Sequence, residues 1–367
     1  MVTYPTARSD RPGMYGRQAL TIASQTFLGP RGGISRVCDL TARVAIETGF
    51  PLALLSVENE GGAYQHSESW KGCGGSRSKF VAACALAALR GNHIWYDQLG
   101  TARAHALTSK ISRPCAVWIH GIEVWEQLRR DRLRAAHRAG FMVANTHYTR
   151  DRAIRHDKVF ESAEVCWLAT SQDEPPEIPA NLAGPPVVFI LGRLDEAAYK
   201  GHRELIEAWP EVVKGVPEAR LVIAGSGPLI ERYRSMAASS KTAKYIDIIG
   251  FVTESMLADL WKRTVVFAMP SRGEGFGLAY IEAMRYGIPV IASVHDAGAE
   301  VSIHNETGLN VDLSRPGDLA DSIVELLRDR DLATRLGSAG QLRWRKYFCY
   351  SAFRTRFSEL LGRFVKL

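Results

Sequence analysis

The chain has 367 residues, of which 46% are hydrophobic, and carries a formal net charge of +7. That length predicts two domains, each with an ordinary core, and the absence of any apolar run near ~18 residues argues against a transmembrane helix. The six cysteines, Cys38, Cys73, Cys84, Cys115, Cys166 and Cys349, form no Cys-x-x-Cys pair, which argues against a zinc site or a disulfide scaffold and fits a reducing cytosol.

The N-terminal stretch Met1–Arg17 is polar and lacks a signal-peptide apolar block. Six short apolar runs then alternate with helical stretches: Ala19–Gln25, Leu52–Val57, His93–Tyr96, Ala116–His120, Met142–Asn145 and Glu164–Leu168. This is a repeated strand–helix order. After the first run comes Gly29-Pro30-Arg31-Gly32-Gly33-Ile34-Ser35. Gly32 and Gly33 would let backbone amides approach a diphosphate, although a plain strand-to-helix turn reads the same way. The spacing is not that of a dinucleotide fingerprint.

His120 ends an apolar strand in Trp118-Ile119-His120-Gly121-Ile122-Glu123-Val124-Trp125. Open α/β sheets place ligand-facing residues there, but a lone histidine at a strand end also serves as a structural group. Glu123 serves equally well as a cap for the next helix, predicted over Val124–Ala139. Segment 110–158 holds eleven Lys or Arg against five acids. Such a basic segment suits an anionic membrane surface or a solvated face with i,i+4 pairs. No nucleic-acid module is evident, so nucleic acid is not expected as a partner.

Ala169–Pro186, rich in proline, breaks both periodicities and predicts a linker. A second set of apolar runs follows: Val187–Gly192, Leu221–Ala224, Tyr245–Ile249, Val265–Met269, Ile288–Ala292 and Leu309–Val311. The tail Gln341–Leu367 is helical in pattern, with Phe348, Phe353, Phe357, Leu360 and Phe364 forming a stripe that reads as core packing. Asp329-Arg330-Asp331 lies late, between helical segments, and reads as turn chemistry rather than as a metal site.

Residues 271–293 are the most informative. Gly273, Gly275 and Gly277 surround Glu274, and an amphipathic helix carries Glu282 before Gly287 and Pro289 end it. The glycines admit close backbone approach, and the helix start offers free N–H groups around Phe276, Gly277 and Leu278 to a diphosphate. Glu282 lies about 12 Å beyond Glu274 at ~1.5 Å per residue. A nucleotide sugar could span both carboxylates, each a good acceptor for sugar hydroxyls.

This stretch resembles the Glu-x7-Glu signature of the retaining family 4 glycosyltransferases, two-domain enzymes of the GT-B type. Val188–Leu194 with Tyr199-Lys200-Gly201, Ala219–Pro228 and Ile248–Val252 resemble their donor-domain strands and turns. The match runs in order over about residues 187–312 and is looser before it. It implies two Rossmann-like α/β domains facing across a cleft: an acceptor-side domain over 1–170 and a nucleotide-sugar domain over 187–340. A C-terminal helix over 341–367 would cross back to the first domain. In the family the Gly-Gly loop faces the donor phosphates, and His120 matches a histidine that contacts the transferred sugar. Arg193 and Lys200 match cations on the departing diphosphate, where Asp195–Tyr199 departs from a tighter approach. Gly225 belongs to a loop that reads the base.

The resemblance implies hexosyl transfer from a nucleotide sugar with retention, with His120, Glu274, Arg193 and Lys200 as the catalytic set. Gly32, Gly33, Gly225, Phe276, Gly277, Leu278 and Glu282 would bind the donor. Neutralisation by protein cations implies that no metal or cofactor is needed. GDP-mannose is the favoured donor, because His-Gly-Ile-Glu-Val-Trp looks like bacterial mannosyltransferases of surface polysaccharide synthesis. The acceptor would be a glycan or a polyprenyl-diphosphate-linked sugar. The site would be cytoplasmic, peripheral on the inner face of the cell membrane. UDP-sugar transfer, nucleotide-sugar epimerisation and a non-catalytic partner subunit are the other readings.

Overall fold

The computed structural model describes residues 19–27, 32–58, 70–105, 113–125, 128–197 and 199–367. Met1–Arg17 and Gly29–Arg31, named above, lie outside the described residues, as do Lys110, Glu126 and Ala198 within the ranges given above.

The apolar runs form strands. They are β1 (Leu20–Ser24), β2 (Leu52–Ser56), β3 (Trp70–Gly72), β4 (His93–Tyr96), β5 (Cys115–Ile119), β6 (Ala139–Ala144) and β7 (Glu164–Val165). There follow β8 (Val187–Leu191), β9 (Arg220–Ala224), β10 (Ile246–Gly250), β11 (Val266–Ala268), β12 (Val290–Ser293) and β13 (Gly308–Val311). They build two sheets, ordered β3-β2-β1-β4-β5-β6-β7 and β10-β9-β8-β11-β12-β13. The pairings are parallel, with Leu20 opposite both Leu52 and His93, and Val188 opposite both Leu221 and Val266. β1 is buried along its whole length. Strands of a parallel sheet are covered on both faces, so they read as continuous apolar runs rather than alternating ones. The expected α/β class with two Rossmann-like sheets is the architecture observed.

In each sheet the strand order reverses beside one strand. β1 lies between β2 and β4, and β8 between β9 and β11. Ligands of open α/β sheets bind at the carboxyl ends of the strands flanking such a reversal.

The described residues of Met1–Val117, Asp131–Phe141 and Phe357–Leu367 form one compact unit, and those of Trp118–Arg130 and Met142–Arg356 form the other. This partition does not follow the expected boundary at residue 170. In the first unit, Trp95 is packed by Phe357 at 4.8 Å, Phe364 at 5.4 Å and Phe141 at 6.2 Å between ring centroids. In the second, Phe189 meets Trp261 at 4.9 Å and Phe267 at 6.0 Å. All six cysteines are buried free thiols. Burial pushes Cys84, Cys115 and Cys166 up to about 12, which leaves them protonated packing groups.

Three details depart from the sequence reading. The helix predicted over Val124–Ala139 is two helices, Ile122–Trp125 and Arg130–Arg138, and Ala139 opens β6. Val124 and Trp125 are buried in one place and Ala135 and Ala136 in another, so tertiary burial overrides a helix-forming composition. The tail is also divided. A helix over Arg330–Arg343 runs into a π turn at Trp344–Phe348, Cys349 is extended, and a new helix spans Tyr350–Phe364. The aromatic stripe is divided too, but within the last helix: Phe348 meets Phe276 at 5.8 Å and Phe353 meets Trp118 at 6.5 Å, both inside the second unit. Phe357 and Phe364 belong to the first unit. Finally, β3 had no counterpart among the predicted strands; three residues are too few for a periodicity to register.

Candidate active site

The site lies in the second unit at the carboxyl ends of the adjacent strands β8 and β11. After β8, the chain passes Gly192 and Arg193 and returns at Lys200, whose aliphatic stem packs so closely on Gly192 that a Cβ there would meet it at 2.6 Å. Gly201 then opens the helix His202–Gly215. After β11 comes the glycine loop, which ends at the helix Leu278–Arg285.

The two loops meet through charge. Lys200 Nζ lies 2.5 Å from a Glu274 carboxylate oxygen, and both side chains are largely shielded from solvent. Lys200 also sits over the Tyr199 ring, 5.0 Å from its centroid. Burial by itself would lower the Lys200 pKa; Glu274 reverses this and holds the ammonium above its ordinary value. Arg193 is placed differently. Its side chain is 73% exposed, with the Asp195 carboxylate 3.9 Å away.

The glycine loop is anchored from three directions within this unit. Asp296 Oδ2 accepts the Ser271 hydroxyl at 2.5 Å and the Glu274 N–H at 2.8 Å, and Oδ1 accepts the Gly298 N–H at 2.9 Å. Asp296 is 1% exposed, and burial pushes its carboxyl up to about 6 despite those three bonds. The Gly275 carbonyl accepts the Thr146 hydroxyl at 2.9 Å and the Thr149 hydroxyl at 3.2 Å. Gly275 itself is pressed on the His120 carbonyl, where any Cβ would collide. That carbonyl accepts the Asn145 side-chain amide at 3.0 Å.

His120 follows β5. Its ring stacks on Trp118 at 6.0 Å, and its N–H donates to the Glu123 carboxylate at 3.1 Å. Glu123 therefore reaches back to the backbone just ahead of the helix Ile122–Trp125. Asp329 likewise caps the helix Arg330–Arg343, accepting the Leu332 N–H at 2.8 Å. Among the described residues, no group of three or more His, Cys, Asp or Glu is placed to hold a metal ion.

Gly277 caps the helix Leu278–Arg285 at φ 84°, a left-handed conformation that suits glycine, and a Cβ there would strike the Tyr280 ring. The first backbone bond of this helix is donated by the Tyr280 N–H to Gly277 O at 2.9 Å. The N–H groups before it mark the positive end of the helix. Phe276 is buried, Leu278 is half-buried, and Glu282 is half-buried one turn further along the same helix. Gly225 follows β9 at φ 142° and is packed on the Gly192 carbonyl. Gly32 and Gly33 belong to the first unit, where they open the helix Gly33–Glu47, and nothing lies within 4 Å of a Cβ built on Gly32.

The structure thus joins Lys200, Glu274 and the helix start, and brings the His120 backbone to the same loop. Sequence reasoning did not find Asp296, Ser271, Thr146, Thr149 or Asn145. Apart from Gly298, two residues after Asp296, the partners named above lie 22 to 129 residues away, and Asp, Ser and Thr after strands are ordinary turn residues.

Residues 171–343 match the family model described as glycosyl transferases group 1. Over 163 residues the chain is 37% identical to the GDP-mannose-dependent alpha-(1-6)-phosphatidylinositol monomannoside mannosyltransferase of Mycobacterium tuberculosis, a match covering 42% of each protein. The matched part therefore spans about two fifths of that relative's length. Among solved structures, Anabaena HepE in complex with UDP superposes with a TM-score of 0.79 at 19% identity, covering 94% of this chain and 100% of that one. Sucrose-phosphate synthase of Thermosynechococcus elongatus gives 0.80 at 22% identity, covering 95% and 100%. These two likenesses show a shared fold.

Proposed function

We propose that this chain, which carries a glycosyl transferases group 1 domain over residues 171–343, is a retaining hexosyltransferase that uses a nucleotide-sugar donor. The carrying observation is the Lys200–Glu274 pair, 2.5 Å apart, at the glycine loop that opens the helix Leu278–Arg285. A cation, a carboxylate and a helix start are what a sugar diphosphate asks of a protein.

In this reading the diphosphate rests at the amides of Phe276 to Leu278 and beside Lys200. Arg193, exposed on the same loop, closes on it when the donor binds. Glu274 accepts the sugar C3 and C4 hydroxyls, Glu282 accepts the ribose hydroxyls, and His120 meets the sugar near C6. Gly225 lies at the base. Charge grows on the β-phosphate as the glycosidic bond breaks, and the fixed cations and amide dipoles stabilise it. The acceptor hydroxyl attacks from the leaving-group face and its proton passes to that phosphate. Such a step needs positioning and electrostatics, and with the charge met by protein groups it requires no divalent metal.

Mannose from GDP-mannose is the donor assignment. It is supported by the His120–Trp125 stretch and by the GDP-mannose-dependent relative. A UDP-sugar is the second reading, favoured by the likeness to HepE, whose structure holds UDP. The acceptor is a glycan or a polyprenyl-diphosphate-linked sugar at the inner face of the cell membrane, reached through the basic segment 110–158. Arg130, Arg134 and Arg138 are exposed on one short helix of that segment.

A thermal-shift and calorimetric screen of GDP-mannose, UDP-glucose, UDP-galactose and UDP-N-acetylhexosamines tests the reading. The expected result is saturable binding of GDP-mannose, worth about 2.7 kcal/mol of added stability at 100 times Kd. Binding of a UDP-sugar alone moves the assignment to the second reading. No shift with any nucleotide sugar overturns both. NMR of the donor incubated without acceptor separates transfer from epimerisation.

A further inference from the structure

Glu274 stands between Gly273 and Gly275. Glycine loses more conformational freedom on ordering than any other residue, so the Glu274 backbone depends on bonds from outside the loop: Thr146 and Thr149 hold the Gly275 carbonyl, and the Glu274 carbonyl accepts the Ala297 N–H at 3.2 Å. The one described hydrogen bond from its N–H runs to Asp296, 22 residues onward. The same carboxylate oxygen takes the Ser271 hydroxyl, where the loop leaves β11, and the other oxygen takes the Gly298 N–H, where the helix Gly298–Val301 begins. Ser271 is itself fixed: its carbonyl accepts the Ser293 hydroxyl, and its side chain lies 3.4 Å from the Tyr280 hydroxyl, which donates to Met269 O at 2.6 Å. Asp296, Ser271, Tyr280 and Ser293 are all buried. A buried carboxylate with three neutral donors and, among the described residues, no ion-paired cation is a costly arrangement, and a loop needing only to turn could be built without it.

We infer that Asp296 is the positioning residue for Glu274: it ties the Glu274 N–H to the end of β11 and to the helix Gly298–Val301, and so holds the Glu274 side chain at Lys200 and at the donor sugar. The sugar half of this rests on the transferase reading above; the loop half rests on geometry alone. Asp296 touches neither donor nor acceptor and acts through Glu274. An asparagine at 296 would put an NH2 group toward the Glu274 N–H or lose the Gly298 bond, and would leave one donor without an acceptor in either orientation.

The test is a double-mutant cycle on donor turnover with Asp296→Asn and Glu274→Ala, joined to deuterium exchange of the peptide 271–278. In the otherwise native protein, Asp296→Asn is expected to lower kcat/KM for the donor at least tenfold and to speed exchange in 271–278, with exchange in β8 unchanged. In the Glu274→Ala background the same change is expected to cost less than twofold, since its target is gone. Asp296→Glu, which restores a carboxylate, should recover part of the loss. An equal loss in both backgrounds overturns the inference, as does unaltered exchange in the loop. Where Asp296→Asn does not fold, Ser271→Ala takes its place in the cycle, with a threefold loss expected in the native background and none beside Glu274→Ala; a loss that persists there overturns the inference. Should the native chain turn over no nucleotide sugar, the transferase reading falls. The exchange arm then decides: faster exchange in 271–278 sustains the anchoring role, and unchanged exchange overturns it.

Discussion

The Lys200 ammonium and the Glu274 carboxylate meet at 2.5 Å across 74 residues of sequence. Each is the other's counter-charge in a shielded place, so neither is tolerated well without its partner. The pair also keeps Lys200 cationic throughout the physiological range, because Glu274 outweighs the effect of burial. A permanently charged lysine can stabilise a departing diphosphate without a proton transfer of its own.

Removing that cation should therefore be felt in turnover. Lys200→Ala is expected to lower kcat about 100-fold, the ~2.7 kcal/mol typical of losing one preorganised group on developing charge. Lys262, half-buried on the helix Glu254–Arg263 and bonded to Asp259 at 3.1 Å, is the control and should leave turnover unchanged. Equal turnover of the two variants in a donor hydrolysis assay would remove Lys200 from the reaction.

Glu282→Ala should weaken donor binding rather than slow the bound step. Loss of a charged acceptor for two hydroxyls costs about 1.5–3 kcal/mol, a ten- to hundredfold rise in Kd by calorimetry. A Kd within twofold of the native value would count against a ribose contact.

In the first unit, Asp97 follows β4 at the strand-order reversal and is fully buried. It accepts the Ser24 hydroxyl at 3.0 Å, the Gln25 N–H at 2.8 Å and the Thr101 hydroxyl at 2.5 Å. Burial pushes its carboxyl from 3.8 up to about 6. The folded state therefore holds the Asp97 proton more tightly than the unfolded chain does. The associated stability is complete below pH ~4 and is lost as pH rises through about 6, on the order of 3 kcal/mol. Asp97→Asn should remove this component, so that the fall in melting temperature between pH 4 and 6 becomes shallower than in the native protein. Parallel slopes by calorimetry would contradict the shift.

Two glycines should respond differently to a methyl group. Gly275→Ala drives a Cβ into the His120 carbonyl, whereas Gly32 has an ordinary φ of −76° and open space around its Cβ position. Overpacking costs about 1–3 kcal/mol, so Gly275→Ala should lower the melting temperature by about 5 °C. Gly32→Ala should hold it within about 1 °C. Activity lost by Gly32→Ala at unchanged stability would then report close approach of a ligand to that backbone. A Gly275→Ala variant as stable as the native chain would show that the loop yields.

The basic helix is tested with vesicles. Replacing Arg130, Arg134 and Arg138 with Gln should weaken binding to anionic vesicles by roughly 100-fold at low salt, at ~1 kcal/mol per charge near the surface. Neutral vesicles should bind neither form. Equal binding of both proteins to anionic vesicles would leave the segment as a solvated face.

The strands and the glycine loop were legible because their signals are local. Runs such as Val187–Leu191 and Val290–Ser293 sit where the apolar runs predict them, since a strand covered on both faces must be apolar throughout. The helix over 124–139 misled for a related reason: a composition rich in Arg, Ala and Leu favours helix everywhere and leaves no mark where burial breaks it. The tail misled in the same way at Cys349.

Sequence alone settled what the segments that build the site are: a parallel strand, a glycine turn before a helix, a pair of carboxylates on that turn and helix. Only the tertiary structure decided which of these segments share a site. Lys200 on Glu274, Asp296 beneath the Glu274 N–H and the hydroxyls of Thr146 and Thr149 on the Gly275 carbonyl join residues 22 to 129 positions apart. Contacts at that separation are set by how strands and helices stack, and a short polar side chain carries no periodicity that would announce its distant partner.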